Sequence, residues 1–511
     1  MATSFVDAPR IEKSRTSPTP EREAPREEQR EPARDGGALL ELSYELRDFD
    51  CYPLSPLLRS GSPRLYEQCK TVITRTREYT ERHLRGRVEA WDLEVARDHA
   101  FVPWAAIDGA LDYGFLSLNV PAVFGGFHGG PLAACVFAEE LSAMDAGIYV
   151  IYGAHALAWS LILASLDTRV IARVGREIAS GEKQGRPVLL ALAHTEPSGG
   201  SDVEDTHDIQ NARFGSRYEK VDGGYLVDAR KVFISNGSIA RYNVLTAIGD
   251  PKRPLQTMRG FLIRQDCTGF SLGRIERKLG QRLSTAAEVI CDSVFVSEED
   301  SFDLGNSGRT VDTTLSLSRG PVGAMATGII RGTLERTLAY LSHKHAEGHL
   351  LHEEQWVRLA LADMLGALQA ARGVYMDAAL ASEFWGLGKL LDVLPSILPE
   401  FLSDSPALDG VLGHRAVVAR GRSLYESLVG DERLERLVAH ASLAKFTCGD
   451  SAVRVAMTAM EILGEDANDP RWGVEKCMRD AKLAQIFEGT NQINRLHVAR
   501  GFLRSRTRAA R

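Results

Sequence analysis

The hydrophobic period of this chain changes twice and never alternates, and that order constrains the fold more than any single residue. From about residue 45 to 186, apolar side chains recur three and four apart, as in Leu132-Ala133-Ala134-Cys135-Val136-Phe137-Ala138-Glu139-Glu140-Leu141, which predicts helices. From 187 to about 305 the runs shorten and turn residues separate them. Tyr218-Glu219-Lys220-Val221 and Tyr225-Leu226-Val227 flank Asp222-Gly223-Gly224, a hairpin signal, and Val232-Phe233-Ile234-Ser235 stops at Asn236-Gly237. Helical periodicity returns near 310 and lasts to about 505, with amphipathic helices predicted over 319–342, 352–383, 436–463 and 476–486. Helices, then strands, then helices define an α+β multi-domain class, with an N-terminal helical domain, a middle antiparallel β domain and a C-terminal helical domain. A doubly wound nucleotide fold would need alternating elements. The chain also has no GxGxxG after a strand, no Walker A lysine loop and no GxSxG elbow.

Charge narrows the partners. The 511 residues carry a net charge of -7, with 44% hydrophobic and 25% charged residues, which suits a globular protein and disfavours nucleic acid or an anionic membrane surface. No run of about 18 uncharged apolar residues is read here, so no membrane span is expected. Seven scattered cysteines without a CxxC pair suit the reduced thiols of a cytoplasmic protein. Residues 1–40 mix acids and bases in a way that fits neither a secretory signal nor a transit peptide, and predict a disordered leader.

Three clusters carry candidate chemistry. Thr195-Glu196-Pro197-Ser198-Gly199-Gly200-Ser201-Asp202 follows an apolar run. Its glycines permit close backbone approach to a ligand, and the same residues also suit an ordinary strand-end loop. His343, His345, His349 and His352 lie within ten residues, and on a helix His345 and His349 would share a face. Nothing completes a zinc pattern around them, so no metal is expected. Finally, Gln485-Ile486-Phe487-Glu488-Gly489-Thr490-Asn491 sets one carboxylate after apolar residues and before a helix break. Either that acid caps a helix and faces water, or the site uses a carboxylate whose proton affinity burial raises.

Together these segments resemble the acyl-CoA dehydrogenase family over roughly residues 85–505. Thr195-Glu196-Pro197 with Gly200-Ser201-Asp202 is similar to that family's TEPxxGSD loop, and Lys231 to Gly237 to its K-x-[WF]-I-[TS]-N-G strand. Lys278-Leu279-Gly280 followed by Glu288 is similar to a later β segment. Arg479-Asp480-Ala481-Lys482 leading to Phe487-Glu488-Gly489-Thr490 resembles the R-D-A-K…[YF]-E-G-T signature. The resemblance implies a C-terminal four-helix bundle, with FAD between it and the β domain, in a homodimer or homotetramer. It implies that Glu488 removes the α-proton of an acyl thioester while flavin N5 takes the β-hydride. Implied flavin contacts are His194, Thr195, Gly200, Ser201, Phe233, Ile234, Ser235, Thr490 and Gln492. Implied substrate contacts are Ser201, Arg319, Phe487 and Gly489. Some relatives carry the base beside that arginine, where this chain has Ser318, which is no base. The acyl carrier would be coenzyme A or an acyl carrier protein, and the electron acceptor an electron-transferring flavoprotein or oxygen.

The chain departs from the family pattern in three places. An R-x-T-F-G run that helps bind a neighbouring subunit's flavin falls at Lys344-His345-Ala346-Glu347-Gly348, and a Q-x-x-G-G element falls at Glu461-Ile462-Leu463-Gly464-Glu465. Lysine lacks arginine's planar fork, and two carboxylates would repel a pyrophosphate, so Lys344, Glu461 and Gly464 predict a weakened or rebuilt contact in trans. An insertion is expected at about 384–436. Two other readings stay open: a flavin oxidase or monooxygenase acting on a non-thioester substrate, and a flavin-poor homologue without catalysis.

Overall fold

A computed structural model of the chain describes residues 40–205, 213–388 and 414–503. The expected leader, and 389–413 of the expected insertion, lie outside the described residues. The main helices are α1 (Pro63–Tyr79), α2 (Gly130–Met144), α3 (Ala146–Ser165) and α4 (Thr168–Lys183) before the sheet. After it come α5 (Ser307–Leu341), α6 (Gln355–Trp385), α7 (Arg415–Leu428), α8 (Asp431–Leu463), α9 (Val474–Leu483) and α10 (Asn491–Phe502). Aspartates set the starts of α3 and α4. Asp145 accepts from the Ile148 N–H at 2.7 Å and Asp167 from the Val170 N–H at 3.4 Å, each satisfying a donor that the first helical turn leaves free. The sequence does contain one uncharged apolar run of that length: α3 is long and apolar enough to cross a membrane, but most of it is buried inside the protein, the environment of a core helix.

The middle block forms an eight-stranded sheet: β1 (Leu190–Ala193), β2 (Arg217–Val221), β3 (Gly224–Ser235), β4 (Tyr242–Ile248), β5 (Met258–Ile263), β6 (Phe270–Ile275), β7 (Ala286–Ser297) and β8 (Ser301–Asp303). The order is β6-β7-β3-β2-β4-β5-β8, with β1 added beside β4. Most pairs are antiparallel, but β1 and β2 each pair parallel with β4, so the sheet is mixed. β2 and β3 close through Asp222 and Gly223, whose φ of +71° is the left-handed geometry a two-residue turn requires. Between Lys231 and Ile234, β3 carries one more residue than β7, a β-bulge. The bulge frees the Val232 N–H, which donates to the Thr195 carbonyl at 3.0 Å. It also holds Phe233 at φ +60°.

The long helices α5, α6 and α8 pack on one another, and α2 lies against α5. α5 starts at Ser307, well before the predicted 319, and runs through Pro321. Between α5 and α6 the chain makes a small hairpin, His345–Ala346 against His349–Leu350, so His345 and His349 share no helix face. Instead His349 pairs with Glu354 at 2.6 Å. Among the described residues no group of three or more His, Cys, Asp or Glu side chains is placed to hold a metal. α7 and the first turns of α8 fall within the expected insertion.

Candidate active site

Glu488 sits in the turn between α9 and α10 and lines an apolar cavity of about 240 Å³. It is partly exposed. Its backbone has φ +56°, a left-handed geometry uncommon for a residue with a side chain. Three buried polar side chains hold the turn in that shape. Arg319 Nε donates to the Glu488 carbonyl at 3.1 Å, and Asn494 Nδ2 donates to the carbonyls of Glu488 at 3.3 Å and Gly489 at 2.9 Å. Lys445 Nζ donates to the Gly489 carbonyl at 2.7 Å and to Asn491 Oδ1 at 2.8 Å. The carboxylate itself accepts from the Ser318 hydroxyl at 2.8 Å.

The electrostatics favour the protonated acid. Burial raises the Glu488 pKa and the neighbouring carboxylate of Glu204 adds to it, while the Ser318 hydrogen bond, Arg319 and Lys445 pull back; the result is about 7. The same burial, reinforced by Arg319, pushes Lys445 down to about 7.

The TEPxxGSD-like loop approaches from the sheet side. Lys231 and Glu196 form a buried pair at 2.8 Å, and Lys231 Nζ also donates to the His194 carbonyl at 2.9 Å. Those contacts fix the loop, and Ser201 Oγ accepts from the Thr490 N–H at 3.1 Å, tying it to the Glu488 turn. Burial and Lys231 depress the His194 pKa to about 4, so the ring is neutral, with Nδ1 2.7 Å from Thr246 Oγ1. Phe233 is 61% exposed although it sits in a sheet, and it lines the cavity. An aromatic ring turned outward by a bulge, with Thr195 and Ser235 alongside, suits a flat heterocycle carrying polar edges.

The residues expected from sequence separate into three groups. His194, Thr195, Phe233, Ile234, Ser235, Phe487 and Glu488 line the cavity. Gly200, Ser201, Gly489 and Thr490 lie in the two loops joined at its edge, and Thr490 also caps α10. Others stand apart. Arg319 is expected to touch substrate, but it is fully buried beneath the turn and bonded to Ser442, His497, Glu204 and the Glu488 backbone. Gln492 is exposed at the start of α10. Lys344 and Glu461 lie on the surface outside the cavity, where Lys344 pairs with Asp466 at 2.8 Å, close to the left-handed Gly464. The segments at 278–280 and 479–482 join the domains: Gln281 donates through its N–H to Asp480 Oδ1 and through Nε2 to the Asp480 carbonyl at 2.9 Å.

Four site residues escaped the sequence reading: Glu204 and Tyr149, which line the cavity, and Lys445 and Asn494, which hold the turn. Lys445 had a signal, a lysine set among Ala441, Ala444 and Cys448 on the buried face of a helix. Glu204 had none, since it follows the recognisable loop as an ordinary acid.

Fold and site together define a three-part enzyme with a buried carboxylate facing an apolar cavity. Family models match the acyl-CoA dehydrogenase N-terminal domain at residues 67–182, the middle domain at 191–294 and the C-terminal domain at 306–384 and 405–503. The chain belongs to the acyl-CoA dehydrogenase family, oxidoreductases acting on CH–CH bonds. A cyclohex-1-ene-1-carbonyl-CoA dehydrogenase of Geobacter metallireducens is 28% identical over 440 residues, covering 86% of this chain and 99% of the relative. An acyl-CoA dehydrogenase of Bacillus subtilis is 26% identical over 412 residues, covering 78% and 90%. The fold matches butyryl-CoA dehydrogenase of Megasphaera elsdenii with a TM-score of 0.66 at 23% identity, over 86% of this chain and 98% of that one.

Proposed function

We propose that this protein dehydrogenates an acyl thioester between its α and β carbons, with Glu488 as the base. The observation that carries the reading is a carboxylate lining an apolar cavity beside an exposed aromatic ring, with burial pushing its pKa up to about 7. An α-proton beside a thioester is weakly acidic, and a desolvated carboxylate titrating near neutrality is matched to removing it. Ser318 orients the accepting oxygen through its 2.8 Å hydrogen bond. Arg319, Asn494 and Lys445 hold the turn, and with it the Glu488 N–H, the donor implied for the thioester oxygen as charge develops there. Apolar walls at Phe487, Phe137 and Val322 keep water from the proton in transit.

The cofactor that fits is FAD, held by Phe233, Thr195 and Ser235, with Ser201 and Thr490 at the edge. When bound, FAD supplies the two-electron acceptor for the hydrogen that leaves the β carbon. Coenzyme A or an acyl carrier protein would present the acyl group, and an electron-transferring flavoprotein or oxygen would reoxidise the flavin. The protein would work as a homo-oligomer in the cytoplasm, with the trans contact at Lys344, Glu461 and Gly464 rebuilt, because Asp466 already neutralises Lys344.

The test is anaerobic flavin reduction against panels of acyl-CoA and acyl-carrier-protein thioesters. Glu488→Gln should retain flavin and slow reduction by about 10²–10⁴-fold. Reduction at the wild-type rate in that variant would move the base elsewhere.

A further inference from the structure

Besides Glu488 the cavity is lined by the carboxylates of Glu204 and Glu383, and the proposed dehydrogenation uses neither. Glu204 lies just past the loop that ends in Ser201-Asp202, and lines the same cavity as Glu488. One of its oxygens lies 3.3 Å from Arg319 Nη2, and a Cβ placed on Gly489 would stand 2.7 Å from that same oxygen. Glu204 is therefore pressed against the backbone of the Glu488 turn itself. A carboxylate here opposes the two cations that would otherwise act on Glu488 alone, Arg319 on α5 and Lys445 on α8.

We infer that Glu204 is a positioning residue for the base: paired with Arg319 and seated against Gly489, it offsets the buried cations around the Glu488 turn. The inference rests on Glu488 being the base. The charged and titratable groups acting most strongly on Glu488 come from separate elements: Arg319 from α5, Lys445 from α8, Tyr149 from α3 and Glu204 from the loop, while His128, His155, His194 and Glu383 line the same cavity. Behind Arg319 stand His497 of α10, 2.6 Å from Arg319 Nη1, and Asp205, which pairs with Arg500. In this set Glu204 is the one carboxylate that acts on Glu488 directly, and its charge raises the affinity of Glu488 for a proton where both cations lower it. Burial raises the pKa of Glu204 itself, with Arg319 and Lys445 holding it back.

The experiment is a pH titration of the Glu488 carboxyl in the flavin-loaded protein by infrared difference spectroscopy, the band being assigned by its loss in Glu488→Gln. It requires no turnover. A protein that no thioester reduces would sink the dehydrogenase reading and leave this titration intact. Glu204→Gln should move the Glu488 midpoint down by about one pH unit, and Glu204→Asp should leave it near wild type. Glu204→Ser serves as a second neutral variant, with the same downward shift expected, should the glutamine form fail to fold. A midpoint unmoved in the neutral variant, or displaced equally by aspartate, overturns the inference.

Discussion

Glu140 and Glu488 both lie among cations, and they behave in opposite ways. Glu140, on α2, accepts from Arg77 Nε at 3.0 Å and Nη2 at 2.8 Å, and from Arg331 Nη1 and Nη2, both at 3.0 Å. Burial alone would raise its pKa, but Arg331 and Arg77 outweigh that and hold it down at about 2. Glu488 also has an arginine and a lysine nearby, yet neither touches its carboxylate. Arg319 and Lys445 spend their donors on backbone carbonyls and other side chains. One serine hydroxyl is the hydrogen bond its oxygens receive among the described residues, and Glu204 supplies a like charge. Burial is common to both sites. What separates a strut from a base is whether the cations bond the carboxylate or the chain that carries it.

That contrast breaks first, and by the largest amount, at the strut. Arg331→Met leaves Glu140 buried with half its guanidinium contacts, and should lower stability by about 3–5 kcal/mol in urea unfolding. A loss under about 1 kcal/mol would mean the α2–α5 contact does not depend on the pair.

Removing the base should act the other way. The folded pKa of Glu488 is raised from an ordinary 4.5 to about 7. The stability its neutral form contributes is therefore fully present below about pH 4.5 and lost as pH rises through about 7. Glu488→Gln cannot ionise. It should be more stable than wild type by about 2 kcal/mol near pH 8, a value discounted because the residue is partly exposed. The advantage should vanish in acid. Parallel stability–pH curves for the two proteins would show that Glu488 is not desolvated.

The order of helical and β blocks was legible because each block repeats its own period over many residues: Leu132 to Leu141 already implies a buried helix, and α2 contains it. Glu488, Phe233 and Ser201 were legible through motif resemblance, and the structure brings them to one cavity or its edge. The pinning groups were harder to read, since Arg319, Lys445 and Asn494 come from three helices separated by over a hundred residues in one case and by about fifty in the other. Their common target is a backbone carbonyl, which leaves no trace in residue type. Arg319 shows the limit of reading by resemblance. An arginine next to the base position suggests a ligand contact, and only the packing reveals that Ser442, His497 and Glu204 surround it. The start of α5 was missed because Thr310, Thr313 and Thr314 weaken the helical pattern, although their side chains are buried.

The smallest effect tests the one direct bond to the base. Ser318 donates to Glu488 Oε2, and a hydrogen bond to the ionised form lowers a carboxyl pKa. Ser318→Ala removes that donor and leaves Glu204 and the burial in place. The Glu488 midpoint should then rise by about half to one pH unit, opposite in sign to the Glu204→Gln shift. The rise in flavin-reduction rate with pH should move upward with it, because only the ionised carboxylate can take the α-proton. Neutralising one neighbour and deleting the other thus drive the same titration in opposite directions, as expected of a base whose proton affinity is set by the balance of its neighbours. A downward shift in Ser318→Ala would mean that the hydroxyl accepts from a protonated Glu488 instead of donating to it.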